Sequence, residues 1–152
     1  RYHNIYGPNG TYDGGREKAP AALCRKIINS IIKNDDLIDV WGDGEQTRSF
    51  LYIDDCVEAT LKLFDSNFHG PINIGSEEKV SINEMIDKIE KISNKKVKKN
   101  YQLDKPKGVR GRNSDNTLIR KQLNWEPKFT LYQGLEKTYN WIYSEIRKKH
   151  NQ

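Results

Sequence analysis

Gln46, Thr47 and Arg48 stand side by side within Trp41–Asp55 (WGDGEQTRSFLYIDD). They are residue types that hold phosphates and hydroxyls. Arginine offers phosphate oxygens a planar fork, and glutamine and threonine give oriented hydrogen bonds. A tight Gly42-Asp43-Gly44 turn precedes them. A strand-like run, Ser49–Ile53, follows, and Asp54 then suits a helix cap. A polar loop between two strands has the same composition, so the stretch alone is compatible with plain structure. A second basic cluster, Arg110 and Arg112, lies in a glycine-containing loop spanning Asp104–Ser114. Two arginines that close together can neutralise a diphosphate. Cys24 and Cys56 are distant in sequence, and no metal-ligand spacing fits them. They read as buried free thiols of a reducing cytoplasm, and no metal is expected.

These side chains need elements to position them. Arg1–Tyr6 reads as a strand running into the loop Gly7-Pro8-Asn9-Gly10. From Pro20 to Lys33, Leu23, Ile27 and Ile31 recur every four residues beside Ile28 and Ile32. That is an amphipathic helix with Pro in its first turn, broken at Asp35-Asp36. Leu37–Trp41 is a strand. Asp55–Phe64 is a helix with Val57, Leu61 and Phe64 on one face. Pro71–Ile74 is a short apolar strand. Ser81–Glu84 is a capping box for a helix bearing Met85, Ile86, Ile89 and Ile92. Val97–Leu103 reads as a strand, and Asp115 caps a short helix through Leu123. Thr130–Gln133 is a second capping box, opening a helix with Leu135, Tyr139, Ile142 and Ile146 inward. Strands alternate with helices, which makes an α/β piece.

The 152 residues amount to one ordinary domain, 35% hydrophobic and 31% charged. No run of 18 apolar residues is present, so no membrane span is expected. The net charge of +5 comes largely from Lys95–Lys99 and Arg147–Lys149, which read as solvated segments. No aromatic-basic interleaving points to nucleic acid. Trp41, Trp125 and Trp141 are read as packing residues. The chain opens at Arg1 with no Met, which points to an N-terminal portion outside it.

Arg1-Tyr-His-Asn-Ile-Tyr-Gly-Pro8, Trp41-Gly-Asp-Gly44 with Thr47–Phe50 and Tyr52–Asp55, and Asn73-Ile74-Gly75 resemble three ordered signatures of extended short-chain dehydrogenase/reductases acting on nucleotide sugars. Gly14–Ala22 (GGREKAPAA) and Gly108–Asn116 (GVRGRNSDN) are similar to the GDP-mannose 3,5-epimerases in particular. The resemblance runs from Arg1 to about Ile146. It implies the C-terminal, substrate-binding part of such an enzyme, including the last strands of its Rossmann-like domain, over residues 1–152. The N-terminal NAD-binding half is then expected outside the chain. So are the glycine-rich loop, the Tyr-x-x-x-Lys pair and a Cys acid/base, and the chain alone is expected to be inactive. NAD would be bound mainly by that half, so no cofactor-binding residue is assigned here.

The resemblance further implies C4 oxidation, proton exchange at C3 and C5, and C4 reduction. Inverting a centre needs proton-transfer groups on both faces of the sugar. Lys18 matches the partner of the absent Cys. A lysine can serve at neutral pH where desolvation or a nearby cation favours its neutral form, and Arg16 and Lys26 are candidate neighbours. Asn4, Glu17, Lys18, Ala19, Lys26, Gln46, Thr47, Arg48 and Arg112 match substrate-binding positions. The implied partner is a nucleotide sugar, a GDP-hexose, and the full-length enzyme is expected to be a cytoplasmic homodimer.

Two departures from the pattern keep a related GDP- or UDP-sugar open as substrate. The connection at Asn34–Leu37 is longer than the family's, and the tail that brings a Tyr to the plant enzymes' site is not seen. A 4-epimerase, a 4,6-dehydratase, a decarboxylase and a non-catalytic nucleotide-sugar-binding module remain the alternatives.

Overall fold

The computed structural model describes residues 1–105 and 108–150. Among these residues are seven short strands and five helices, strands and helices interspersed as the pattern implies. They are β1 (Ile5–Tyr6), α1 (Ala19–Lys33), β2 (Leu37–Trp41), β3 (Thr47–Ser49), β4 (Leu51–Tyr52) and α2 (Ile53–Phe64). Then come β5 (Lys79–Ser81), α3 (Ile82–Ser93), β6 (Lys98–Gln102), β7 (Gly111–Arg112), α4 (Thr117–Leu123) and α5 (Leu131–His150). No helix among the described residues is long and apolar enough to cross a membrane.

Three small sheets are built from these strands. β1 pairs in parallel with β4, in the register Ile5↔Leu51. On the other side Tyr2 bridges Ile74, so the expected Pro71–Ile74 strand is reduced to one bridge. β2 runs parallel to β6 over five residue pairs. β3 lies between β5, antiparallel, and β7, parallel.

Helices α1, α3 and α5 pack on one another around the larger core. Leu23, Ile27, Met85, Ile89, Leu135 and Ile142 fill it, so the helical periodicity of the sequence becomes burial. Each such side chain removed from water stabilises the fold by about 1.5–3 kcal/mol. A second core joins Leu51, Cys56, Ala59, Ile74, Ile119 and Trp125. Cys24 and Cys56 are buried free thiols. Burial pushes both up from the usual thiol range, which keeps them in the unreactive protonated form.

Both capping boxes form. Ser81 Oγ accepts the Glu84 N–H at 3.1 Å, and Glu84 Oε2 accepts the Ser81 N–H at 2.7 Å. Thr130 and Gln133 exchange the same kind of bonds. Other helix ends differ from expectation. α1 stops at Asn34 in the left-handed region rather than at the two aspartates. Asn94 and Asn124 end α3 and α4 the same way. α2 starts one residue before Asp54, with Tyr52 as its N-cap and no side-chain cap. Asp55 is 1% exposed and serves a distant segment, since its two oxygens accept the Lys128 and Phe129 N–H groups at 3.0 Å each.

The largest departure concerns α2. It buries Cys56 and Ala59, while Val57, Leu61 and Phe64 face solvent, Phe64 at 85% exposure. A helix packed on its small residues turns its larger apolar stripe outward.

Candidate functional site

The N-terminal half of α1, the end of β2 and the start of α3 enclose a cavity of about 520 Å³. Ala19, Ala22, Leu23 and Lys26 line it from α1. Their spacing of three and four residues places them on one helix face. Asp39, Val40 and Trp41 contribute from β2, and Ile82 from α3. Glu17 enters from the segment before α1 and Gln46 from the turn before β3. Four of the nine residues assigned from sequence therefore meet in one cavity: Glu17, Ala19, Lys26 and Gln46.

Each polar member is held by its own bonds. Glu17 Oε1 accepts a hydrogen bond from Arg25 Nη2 at 2.8 Å, and its side chain is 7% exposed. Burial raises the carboxyl. Hydrogen bonds from backbone amides and from the Arg25 guanidinium outweigh it, and the net position is below the usual carboxylate range. Lys26 Nζ donates to the Asp39 carbonyl at 2.6 Å. Burial pulls this ammonium below the usual lysine range, with Asp39 opposing. Gln46 Nε2 donates to the Trp41 carbonyl at 2.9 Å. Glu17 Oε2 and Gln46 Oε1 are buried and without a hydrogen-bond partner among the described residues. Two unmatched acceptors lining one cavity suit a ligand that brings hydroxyl or ring N–H donors.

The other assigned residues lie beside this cavity. Lys18 is the N-cap of α1 and is exposed, between the lining residues Glu17 and Ala19. Thr47 and Arg48 are in β3, where Thr47 pairs with Gly111 and Arg48 with Arg112. Paired residues of adjacent strands share a sheet face, so Arg48 and Arg112 stand side by side. Arg48 Nη1 donates to the Thr47 carbonyl at 2.7 Å, and the Thr47 N–H to the Arg110 carbonyl at 3.0 Å. The segment read from sequence as a loop contains a short strand, β7, that ties it to β3. Pro106 and Lys107 of the same loop lie outside the described residues. Asn4 sits in the left-handed region at φ 46° and donates Nδ2 to the Ser49 carbonyl at 3.0 Å. It thus straps β1 to the end of β3.

Three features escaped the sequence reading. Arg25 orders Glu17 and also donates to the Tyr12 carbonyl at 2.8 Å, a pairing no local spacing signals. Trp41, read as packing, is 56% exposed and lines the cavity. The alternation along β2, with Ile38 and Val40 buried, was the available signal. Trp125, by contrast, is in the core, and Trp141 packs edge-on to Tyr12. Tyr101 and Lys105 carry a Tyr-x-x-x-Lys spacing, but on β6 and the turn after it. Tyr101 Oη donates to Asn83 Oδ1 at 2.9 Å. They are not a pair on one helix face. His3 bonds Asn73 at 3.3 Å and packs against Gly75, a structural position.

A family model described as GDP-mannose 4,6 dehydratase matches residues 1–138. A GDP-mannose 3,5-epimerase of Arabidopsis thaliana is 52% identical over 149 residues, covering 98% of this chain and 38% of that protein. The UDP-glucose 4-epimerase of Thermotoga maritima, solved with UDP-glucose, superposes with a TM-score of 0.85 at 27% identity. That match covers 96% of this chain and 45% of the other. The UDP-glucuronic acid 4-epimerase of Bacillus cereus, solved with UDP-glucuronic acid and NAD, gives a TM-score of 0.78 at 30% identity, covering 96% and 44%. The fold is thus that of the extended short-chain dehydrogenase/reductase epimerases. The chain spans about two fifths of the length of the curated relatives it matches.

Proposed function

The chain belongs to the GDP-mannose 4,6 dehydratase family, and from that membership we propose that it is the substrate-binding part of an NAD-dependent nucleotide-sugar epimerase. The reaction proposed is that of a GDP-mannose 3,5-epimerase. The observation that carries this reading is the cavity at the start of α1, where Glu17, Ala19, Lys26 and Gln46 converge beside Lys18. The 52% identity to the Arabidopsis epimerase supports the choice of sugar nucleotide.

In this reading Glu17 accepts hydrogen bonds from sugar hydroxyls. Lys26, Arg48 and Arg112 counter the diphosphate charge, with Thr47 and Asn4 as further polar contacts. Bound NAD would supply the hydride acceptor and donor for C4. Its diphosphate needs a glycine-rich turn between a strand and a helix. The glycine-containing connection from β1 to α1 lacks the G-x-G-x-x-G spacing of that turn, so this chain's groups are assigned to the sugar nucleotide and not to the cofactor. Once C4 is a ketone, C3 and C5 are acidic. Lys18 moves a proton on one face of the ring, and a group outside this chain serves the other.

The test uses the intact protein that carries this chain. With GDP-mannose and NAD in deuterated water, deuterium should enter at C3 and C5. Lys18→Ala should slow that exchange by roughly 10²–10⁴-fold, the range for a lost general acid–base. Exchange unchanged in Lys18→Ala would remove the residue from the chemistry. A second reading, a 4-epimerase, is favoured by the superposition on UDP-sugar 4-epimerases. It predicts turnover of a UDP-sugar at C4 with no label at C3 or C5.

A further inference from the structure

The segment Gly7–Lys18 joins β1 to α1 without helix or strand. It delivers Glu17 and Lys18 to the site, and Gly15 and Glu17 line the cavity. A segment with no ladder of its own keeps one shape only where its side chains are held. Between Gly10 and Lys18, Tyr12 and Glu17 are half-buried and the other residues are exposed. Tyr12 is held by both its ring and its backbone. The ring meets Trp141 of α5 edge-on, with centroids 5.4 Å apart and planes at 87°. Lys149, about two turns further along α5, lies over the same ring with Nζ 5.1 Å from the centroid. The Tyr12 carbonyl accepts Arg25 Nε at 2.8 Å, which orients the guanidinium whose Nη2 donates to Glu17 at 2.8 Å. The stretch Tyr12–Glu17 is thus fixed to α5 at one end and to α1 at the other. Between lie Gly14 and Gly15, at φ +91° and +83°, with open space around each. Such glycines resist no swing of their own, so the pose of Asp13–Glu17 depends on its anchors.

Resting on the nucleotide-sugar reading above, we propose that Tyr12 is a positioning residue for the reaction, and that the far half of α5 is the post to which it ties the loop carrying Glu17 and Lys18. Tyr12, Trp141 and Lys149 stand outside the lining of the cavity, so their effect on a substrate runs through Arg25 and Glu17. With the ring removed, the Tyr12 backbone is freed, the Arg25 guanidinium loses one of the bonds that orient it, and the stretch swings at the glycine pair. Glu17 then loses its fixed place beside Lys18. The groups assigned to the diphosphate, Lys26, Arg48 and Arg112, belong to α1, β3 and β7 and do not move with the loop. Loss of the anchor therefore slows the chemistry and spares nucleotide binding.

Two measurements on the intact protein separate the anchor from the chemistry. Brief trypsin digestion of the folded protein, read by mass spectrometry, reports cleavage after the exposed Arg16 and Lys18. The two ring contacts correspond to roughly 5- to 70-fold in the population of the opened loop. Cleavage should rise by up to that factor in Tyr12→Ala, less in Trp141→Ala, which leaves Lys149 in place, and little in Tyr12→Phe, which keeps the ring. With GDP-mannose and NAD in deuterated water, kcat for exchange at C3 and C5 should fall roughly 10- to 100-fold in Tyr12→Ala, the scale of a small misplacement of reacting groups. The Kd for GDP should stay at its wild-type value, and Tyr12→Phe should restore exchange. Asp55→Asn, which loosens a distant contact, should exchange as wild type, so that lost stability alone does not mimic the result. Unchanged cleavage in Tyr12→Ala would overturn the anchor. So would faster cleavage with exchange at the wild-type rate, because the pose of the loop would then not matter to the reaction. Exchange and GDP binding lost together, in Tyr12→Ala and Tyr12→Phe alike, would give Tyr12 a role in folding instead. Wild-type protein that exchanges no label and binds no GDP would bring down the nucleotide-sugar reading, and the positioning role with it, whatever trypsin shows.

Discussion

Replacing Asp55 by Asn changes one atom of a buried side chain and tests how the second half of the chain is fastened to the first. The carboxylate is 1% exposed and accepts two backbone N–H groups, those of Lys128 and Phe129, at 3.0 Å each. A hydrogen bond to a charged group contributes about 1.5–3 kcal/mol net. Asparagine keeps one carbonyl acceptor, now uncharged, and turns its NH₂ toward the other amide. One charge-assisted bond is lost outright and the second is weakened, which sums to about 3 kcal/mol. For a chain of this size that lowers Tm by about 6–12 °C. Urea unfolding of Asp55→Asn against wild type reads the difference directly. Asp54→Asn, at the exposed neighbouring position, should lie within about 0.5 kcal/mol of wild type. If Asp55→Asn also stayed within about 0.5 kcal/mol, the two bonds would not hold the lead of α5 to α2, and the reasoning would fail.

Two other substitutions carry signs that the local structure fixes. Alanine for glycine within a helix ordinarily stabilises by about 1 kcal/mol, yet a Cβ at Gly134 would press on the Tyr6 hydroxyl and lie 2.9 Å from Tyr52 Cδ2. Gly134→Ala should therefore lower the urea midpoint, with about 1–3 kcal/mol of overpacking dominant, and a raised midpoint would refute the fit. Arg25→Met leaves the Glu17 carboxylate buried without its guanidinium and should cost about 3 kcal/mol at pH 7. Because the folded Glu17 carboxyl lies below its ordinary value, the pair's contribution is present above about pH 4.3. It is lost as pH falls through the folded value, so the deficit of Arg25→Met should shrink on acidification. A deficit equal at pH 7 and pH 3 would show that lost packing, not charge, is responsible.

Where the sequence was legible, the information was local. The two capping boxes and the inward faces of α3 and α5 follow from residues three and four apart: α5 buries all four residues that pattern names, and α3 buries Met85, Ile86 and Ile89 and leaves Ile92 half-buried. The ends set by other forces were misread. Asn34 ends α1 because asparagine tolerates the left-handed region, whereas Asp35-Asp36 looked like the stronger break. The α2 stripe of Val57, Leu61 and Phe64 had the right period, but period alone does not say which face meets a core. At the candidate site, Ala19 and Lys26 share helix α1, while Glu17 lies in the segment before it and was grouped with them by resemblance alone. The pairing of Arg48 with Arg112 depends on a parallel register between strands far apart in sequence. No composition rule encodes that register, and the Glu17–Arg25 bond likewise crosses from a loop to a helix.

β3 also has a history as the chain is made. Thr47–Ser49 is its whole length, yet its two neighbours come from Lys79–Ser81 and Gly111–Arg112. A ribosome adds roughly 5–20 residues per second, so the strand waits several seconds for its second partner. Through that interval one edge shows unmatched N–H and C=O groups, open to pairing with another nascent chain. The strand is three residues long and carries Arg48 at its centre, and both features blunt such an edge. The arginine proposed to meet a diphosphate in the finished protein would, on this view, first serve as a guard against misassembly during synthesis.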